Sequence, residues 1–546
     1  MLTRPAICSA LLSMLTLACG GGSGTASGGG DGSAGGGAMA SGGGMGDSGG
    51  GMGASGGGTS ASGGGTSASG GGTSASGGGT SASGGGTSAS GGGAGRTLSG
   101  TRAATYYSDK APVTVNADLS NASVVAFWEA DGGFASSTGA GTADGKFTVA
   151  GLPTGPVYLR LGNASFIYTA ADAVDLAQAE VGRPGQAMVT GTNLTINATG
   201  LTAWATYDEV ALAVTNNGAK VDDLSKAGAA TPPNGSTSAT FLISYTGPLI
   251  EAAQGDVLRL FQNKVYPTPV PNQVAVSAAA VSSLTQVNGQ PSTVNAVFSP
   301  LAMSTVDLDL KVSQFEAWKS DVNAQATVGA SQFVLYAAPS AATMRGLPGS
   351  TPALLFVPMS AGAADVTGTF SYGNPFPSTS TVIASRITSF SVPFTAPGAS
   401  SAVKHSSLHA SITPLSFLPS TQLPTISPAR QIKVNGQAAS AALTGVGLSP
   451  VVTWVPPALG TPDRYILTVV RLVNNAGANV EQPVASIRCK GTVTRLAIPP
   501  GVLTSGGTYV LSLTASANGG LDLEKRPYEL AAIFDTAEAV AGPISP

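Results

Sequence analysis

From Arg96 onward the apolar residues of this chain fall on every second position. Lys146-Phe147-Thr148-Val149, Val157-Tyr158-Leu159-Arg160-Leu161, Asn193-Leu194-Thr195-Ile196 and Val257-Leu258-Arg259-Leu260 all show this alternation, which places successive side chains on opposite faces of a strand. No window longer than about twelve residues keeps a 3.6-residue period without Gly or Pro intervening, so long helices are not expected. Short alternating runs set between Gly, Pro and Asn predict an all-β chain of several β-sandwich domains in tandem.

Upstream the alternation disappears. From residue 54 the unit Ala-Ser-Gly-Gly-Gly recurs at positions 61, 68, 75, 82 and 89. A seven-residue period suggests a coiled coil, but the repeat offers no apolar seam beyond Ala. Residues 20–95 hold half of the chain's 76 glycines, no aromatic residue, no Lys or Arg, and only Asp31 and Asp47 as charges. Such a segment cannot bury enough apolar area to offset the entropy of ordering its backbone. Residues 20–96 are therefore expected to be a disordered Gly/Ser tether, spanning roughly 45–50 Å root-mean-square.

Composition narrows the picture. Only 10% of the 546 residues are charged and the formal net charge is −3, against about a quarter charged in an average soluble domain. This excludes a basic nucleic-acid binder. Three Cys are present, at 8, 19 and 489.

Residues 1–19 carry Arg4, an apolar run from Ala6 to Leu17, and Ala18 before Cys19. The run is too short for a span of about 20 residues and reads as a signal peptide. Leu15-Thr16-Leu17-Ala18-Cys19 resembles the lipobox of bacterial lipoproteins, although Thr16 and Leu17 depart from its usual pattern. The resemblance implies cleavage before Cys19 and acylation of that residue, which would anchor the chain in a lipid bilayer. Gly20 in place of Asp points, in that family, to the outer membrane of a Gram-negative cell envelope. With Cys8 removed and Cys19 acylated, Cys489 stands alone, leaving no intramolecular disulfide and no Cys-rich zinc site.

Four modules follow, at 97–190, 191–305, 306–440 and 441–546. In the first, Asp144-Gly145 supplies a turn before the strand of Phe147, and Gly151 through Pro156 a loop before that of Tyr158. Phe147, Pro153, Gly155 and Tyr158 give it the look of a carboxypeptidase-regulatory (transthyretin-like) sandwich, which implies a structural or interaction module. The middle of the chain repeats itself at an offset of 114: Leu194 meets Leu308, Ile196 meets Leu310, Leu201 meets Phe315 and Trp204 meets Trp318. Two related β domains joined near Pro300 are expected, with Trp204 and Trp318 as matched core plugs. The last module sets Trp454 ahead of Tyr465 and carries Leu503-Thr504-Ser505-Gly506-Gly507-Thr508-Tyr509. It resembles a fibronectin type III domain, which implies that Trp454 and Tyr465 lie in its core and that Tyr509 forms a tyrosine corner.

Catalytic candidates are few. His405 and His409 are the only histidines; Ser406 stands where a zincin helix needs Glu, and both are expected as solvated surface residues. No G-x-S-x-G elbow is present to supply a nucleophile. Asp222 with Asp223, and Asp307 with Asp309, remain as carboxylate pairs. No cofactor is implied. The sequence reads as a surface lipoprotein with a structural, adhesive or ligand-binding role toward a protein or glycan; the second reading is a glycan-processing enzyme using carboxylates of 191–440.

Overall fold

The computed structural model describes residues 95–546 apart from 163, 339–350, 476–477, 518, 530 and 532. The expected signal peptide, Cys19 and the tether lie outside the described residues. Strands dominate the rest, with helix limited to short turns such as Val312–Glu316 and Lys319–Val322. The chain is all-β, and its strands are arranged in several sheets.

The first sandwich follows directly from alternation. Along Lys146–Leu152, Phe147 and Val149 point inward while Lys146 and Thr148 face solvent. This strand pairs antiparallel with Arg96–Thr101, which pairs parallel with Ala173–Asp175. Facing them, Val124–Ala130 pairs with Gly133–Thr138 and Val157–Leu161, and Leu98, Val124, Phe147 and Leu159 fill the space between. The turn before Phe147 depends on Gly145, whose φ is +82° and where a Cβ would lie 2.6 Å from the Arg102 carbonyl oxygen; both conditions favour Gly.

The middle of the chain is layered. Ser238–Pro248, Met188–Thr199 and Ser292–Val297 form one covering sheet, and Met303–Leu310 with Val366–Gly373 forms another. Between them lies a sheet containing Glu209–Val214, Leu258–Tyr266 and Asn272–Val281. Val210, Leu212 and Val214 enter one core, and Ala211 and Ala213 enter the other. The two sequence-related strands thus cover opposite faces of one shared sheet: Leu194 and Ile196 belong to the first core, Leu308 and Leu310 to the second. Asn272–Val281 pairs with both Ser299–Pro300 and Leu355–Met359, so the sheet runs through the expected boundary near Pro300.

That central sheet continues through Thr381–Phe394 and Val403–Pro414 into the C-terminal strands, where His409 pairs with Ala537. Phe534–Ser545, Thr508–Ala517, Arg464–Asn475 and Ala478–Lys490 carry it onward. Ala478–Lys490 then pairs in parallel with Ser165–Thr169 of the first sandwich, completing an 18-stranded sheet. The described residues from 95 onward form one compact unit in which modules distant in sequence are neighbours in a sheet.

Candidate functional site

The residues expected in cores occupy different ones. Phe147 is buried inside the first sandwich, whereas Tyr158, on the opposite face of its strand from Val157 and Leu159, enters the C-terminal core. There its hydroxyl accepts the Ala497 N–H at 2.8 Å. Trp454 and Tyr465 meet edge to face at 5.2 Å in that core. Tyr509 is buried and its hydroxyl accepts the Thr504 N–H at 2.9 Å, the backbone contact that defines a tyrosine corner. A Cβ at Gly507 would collide with the Tyr509 hydroxyl, so the corner leaves room there only for Gly.

The two matched tryptophans are not equivalent. Trp204 is buried against Phe241. Trp318 is only half-buried, at the start of Lys319–Val322. After Leu310 the chain coils into two short helices whose buried residues are Val312, Phe315 and Val322. Trp318 stands between these helices and is not an inward position of a continuing strand.

Both histidines are buried, contrary to the expectation of solvated surface residues. Val403–Pro414 turns His405, Ser407, His409 and Ser411 inward together. Phe394 and Glu481 lie against His405, and Phe315 against His409. His405 Nδ1 lies 2.8 Å from Glu481 Oε1. Burial opposes the charge on His405, but Glu481 and then Glu538 hold its pKa above the ordinary imidazole value. Burial pushes the Glu538 carboxyl up; Ser512 donates to one of its oxygens and the Leu408 N–H, at 3.1 Å, to the other. His409 packs edge to face on Phe315 at 5.2 Å, and burial depresses its pKa to about 4. Arg386, Ser411 and Asp535 lie side by side on adjacent strands, with Arg386 Nη2 3.9 Å from Asp535 Oδ1. These groups join strands internally, with the two histidines 6% and 2% exposed.

The candidate carboxylates have structural partners. Asp307 is exposed and accepts the Thr369 hydroxyl at 2.6 Å. Asp309, two residues on and on the same face, bonds Lys311 at 2.6 Å, Thr421 at 2.8 Å and Thr367 at 3.2 Å. Lys311 first, then Thr421, hold its pKa below the ordinary value, which suits a permanent anion and not a general acid. Asp222 pairs with Lys220 at 3.0 Å, while Asp223 is buried and accepts the Ser225 N–H at 2.9 Å.

Sequence reasoning missed Asp256, the most heavily bonded carboxylate in this region. It accepts from Arg183 at 2.5 Å, Asn216 at 2.7 Å, Asn217 at 3.2 Å and the Glu251 N–H at 2.8 Å. Arg183 belongs to the end of the first module, so this knot ties that module to the next. Nothing in the local sequence marks Asp256, because its partners arrive from separate loops.

Among the described residues no group of three or more His, Cys, Asp or Glu is placed to hold a metal ion, and no helix is long and apolar enough to cross a membrane. Cys489 is buried in the C-terminal core, and burial pushes its thiol pKa far up.

No protein-family model and no curated protein matches the chain. Among solved structures, a cell adhesion candidate from Bacteroides eggerthii aligns at 13% identity over 56% of this chain and 99% of its own, with a TM-score of 0.14. A tetra-tandem repeat from the extending region of a large adhesion protein aligns at 11% identity over 81% of this chain and 98% of its own, with a TM-score of 0.10. Similarity at this level carries no argument about function.

Proposed function

We propose that this protein is a lipid-anchored cell-envelope protein with a structural, adhesive or ligand-binding role and no catalytic activity. Cys19 is its acylated residue, residues 20–96 are its spacer, and the β body beyond them is the part presented to partners. The observation that carries this reading is the state of the chemistry-bearing side chains. Both histidines are buried between strands, and the carboxylates of 191–440 considered above are either bonded within the β body or exposed on strand faces. That arrangement supports a scaffold more readily than an acid–base pair. The Tyr509 corner and the Trp454–Tyr465 contact support the fibronectin type III-like reading of 441–546, and the two facing sheets around Phe147 support the carboxypeptidase-regulatory-like reading of 97–190.

The test is cell fractionation in a Gram-negative host. Wild-type protein is expected in the outer-membrane fraction, and both Cys19→Ser and inhibition of lipoprotein signal peptidase are expected to release it or block its processing. Wild-type protein recovered as a soluble species, unaffected by either treatment, would refute the anchor.

A further inference from the structure

The covering sheet made by Ser238–Pro248, Met188–Thr199 and Ser292–Val297 has one face in the core and one toward solvent. Leu194, Ile196, Phe241 and Val294 point inward. On the other face the register aligns Thr240, Asn197 and Asn295 in one row, and Leu242, Thr195 and Thr293 in the next. Thr240 Oγ1 donates to Asn197 Oδ1 at 3.1 Å, and Asn197 Nδ2 donates to Asn295 Oδ1 at 3.0 Å. Three strands therefore share one ordered chain of side-chain donors and acceptors. Apart from the Met188–Pro248 pair at the far end of the sheet, every outward residue in these paired rows is Ser, Thr, Asn, Leu or Val; none of the chain's 25 basic or 28 acidic residues stands there. A solvated sheet face ordinarily carries charge for solubility.

A loop at one end of the same sheet carries an aromatic residue. The loop 200–208 is tied to the segment leading into Ser238, with the Leu201 N–H donating to Thr237 at 3.0 Å and the Trp204 N–H to Ser236 at 2.9 Å. On this loop Tyr207 is 57% exposed and has a φ of +77°, a costly conformation for a bulky residue.

We propose that this face binds a neutral, hydroxyl-rich polysaccharide, whose hydroxyls pair with the Asn and Thr rows and one of whose rings stacks on Tyr207. The charge pattern selects the partner. Nucleic acids and acidic glycans are held by Lys and Arg, which the face lacks. Protein interfaces are anchored by aromatic residues, Met or Arg around an apolar centre, whereas the exposed apolar side chains of the paired rows are scattered: Leu242 lies opposite Thr195, Val297 opposite Thr199 on the other outer strand, and Met188 at the far end of the middle strand. An uncharged partner rich in donors and acceptors matches what is present, and the prior ordering of Asn197 lowers the entropy lost on binding. This inference names the partner of the ligand-binding reading above and rests on it.

Affinity electrophoresis of the full chain in detergent tests it, with dextran, mannan, xylan and β-glucan as neutral probes and polygalacturonate and heparin as acidic ones. At least one neutral probe is expected to retard the wild type, with Asn197→Lys and Tyr207→Ala each weakening the effect about tenfold or more at an unchanged melting temperature. Thr293→Lys, on the outer strand, serves if Asn197→Lys alters folding. Retardation by no neutral probe, or by acidic probes alone, overturns the proposal. A wild-type dimer that Thr293→Lys dissociates assigns the face to a second copy and also overturns it. Retardation of wild type and variants alike overturns this face while leaving a ligand-binding role standing, and the anchor is judged separately by fractionation.

Discussion

Replacing Tyr158 by Phe tests whether the first and last modules are one folded unit. The Tyr158 ring packs against Phe134 at 5.7 Å and Tyr168 at 4.7 Å, contacts that Phe retains. What is lost is the hydroxyl that accepts the Ala497 N–H at 2.8 Å inside the C-terminal core. A buried donor without an acceptor costs about 1–3 kcal/mol. The neighbouring Arg495–Glu129 pair, at 2.7 and 2.6 Å, is partly exposed, and such a pair contributes about 0–1 kcal/mol; it cannot replace the lost bond. Hydrogen exchange of the full chain reads the effect directly. The amides of Arg495–Ala497, together with those of Ser486–Arg488 that pair with Ser165–Ile167, are expected to exchange about 5-fold to about 150-fold faster in the variant. If exchange quickens only within residues 96–176 while Arg495–Ala497 keeps its wild-type protection, the two modules are energetically separate and the reasoning fails.

Two further outcomes are expected. Asp256→Ala removes the acceptor of Arg183, Asn216 and Asn217 and leaves a mostly buried guanidinium with Glu251 as its remaining ionic partner; the loss should be about 3–5 kcal/mol by chemical denaturation, and a loss below about 1 kcal/mol would show that the knot does not stabilise the fold. The folded pKa of His405 is raised, so its contribution to stability is fully present below the unfolded value of about 6.5 and is lost as pH rises through the folded value. Glu538, also raised, loses its contribution in the same direction from a lower starting pH. The stability difference between wild type and His405→Gln should therefore be larger at pH 5.5 than at pH 9, and a difference that is flat or grows with pH would contradict the Glu481–His405 assignment.

Much of the strand pattern was legible because one-sided burial writes itself as alternation. Lys146-Phe147-Thr148-Val149 is out, in, out, in as the period requires. Two-sided burial was harder to place. Tyr158 alternates correctly with Val157 and Leu159, yet its face is covered by strands more than 300 residues away, and no local pattern carries that information. The uninterrupted run Val210–Val214 is apolar because both of its faces are covered. The strands matched by the 114-residue offset, Met188–Thr199 and Met303–Leu310, lie on opposite sides of a shared sheet, a relation that no sequence offset carries.

The histidines were misplaced for a similar reason. Lys404-His405-Ser406-Ser407-Leu408-His409 has little apolar contrast between alternate positions, and its partners Glu481 and Glu538 come from other strands. On the outer face, Asn193-Leu194-Thr195-Ile196-Asn197-Ala198-Thr199 reads as a strand from sequence. That its polar half joins two neighbouring strands in an uncharged array required the register.

The central proposal, an acyl anchor followed by a spacer and a β body, is tested most directly by the mass of the protein's own amino terminus. After Arg4 the next Lys or Arg is Arg96, so trypsin should release a single peptide spanning residues 19–96 from the mature chain. That peptide is expected to begin at Cys19 and to carry the added mass of a diacylglycerol thioether and an amide-linked acyl chain. An unmodified Cys19 thiol, or a mature chain beginning elsewhere, would contradict it.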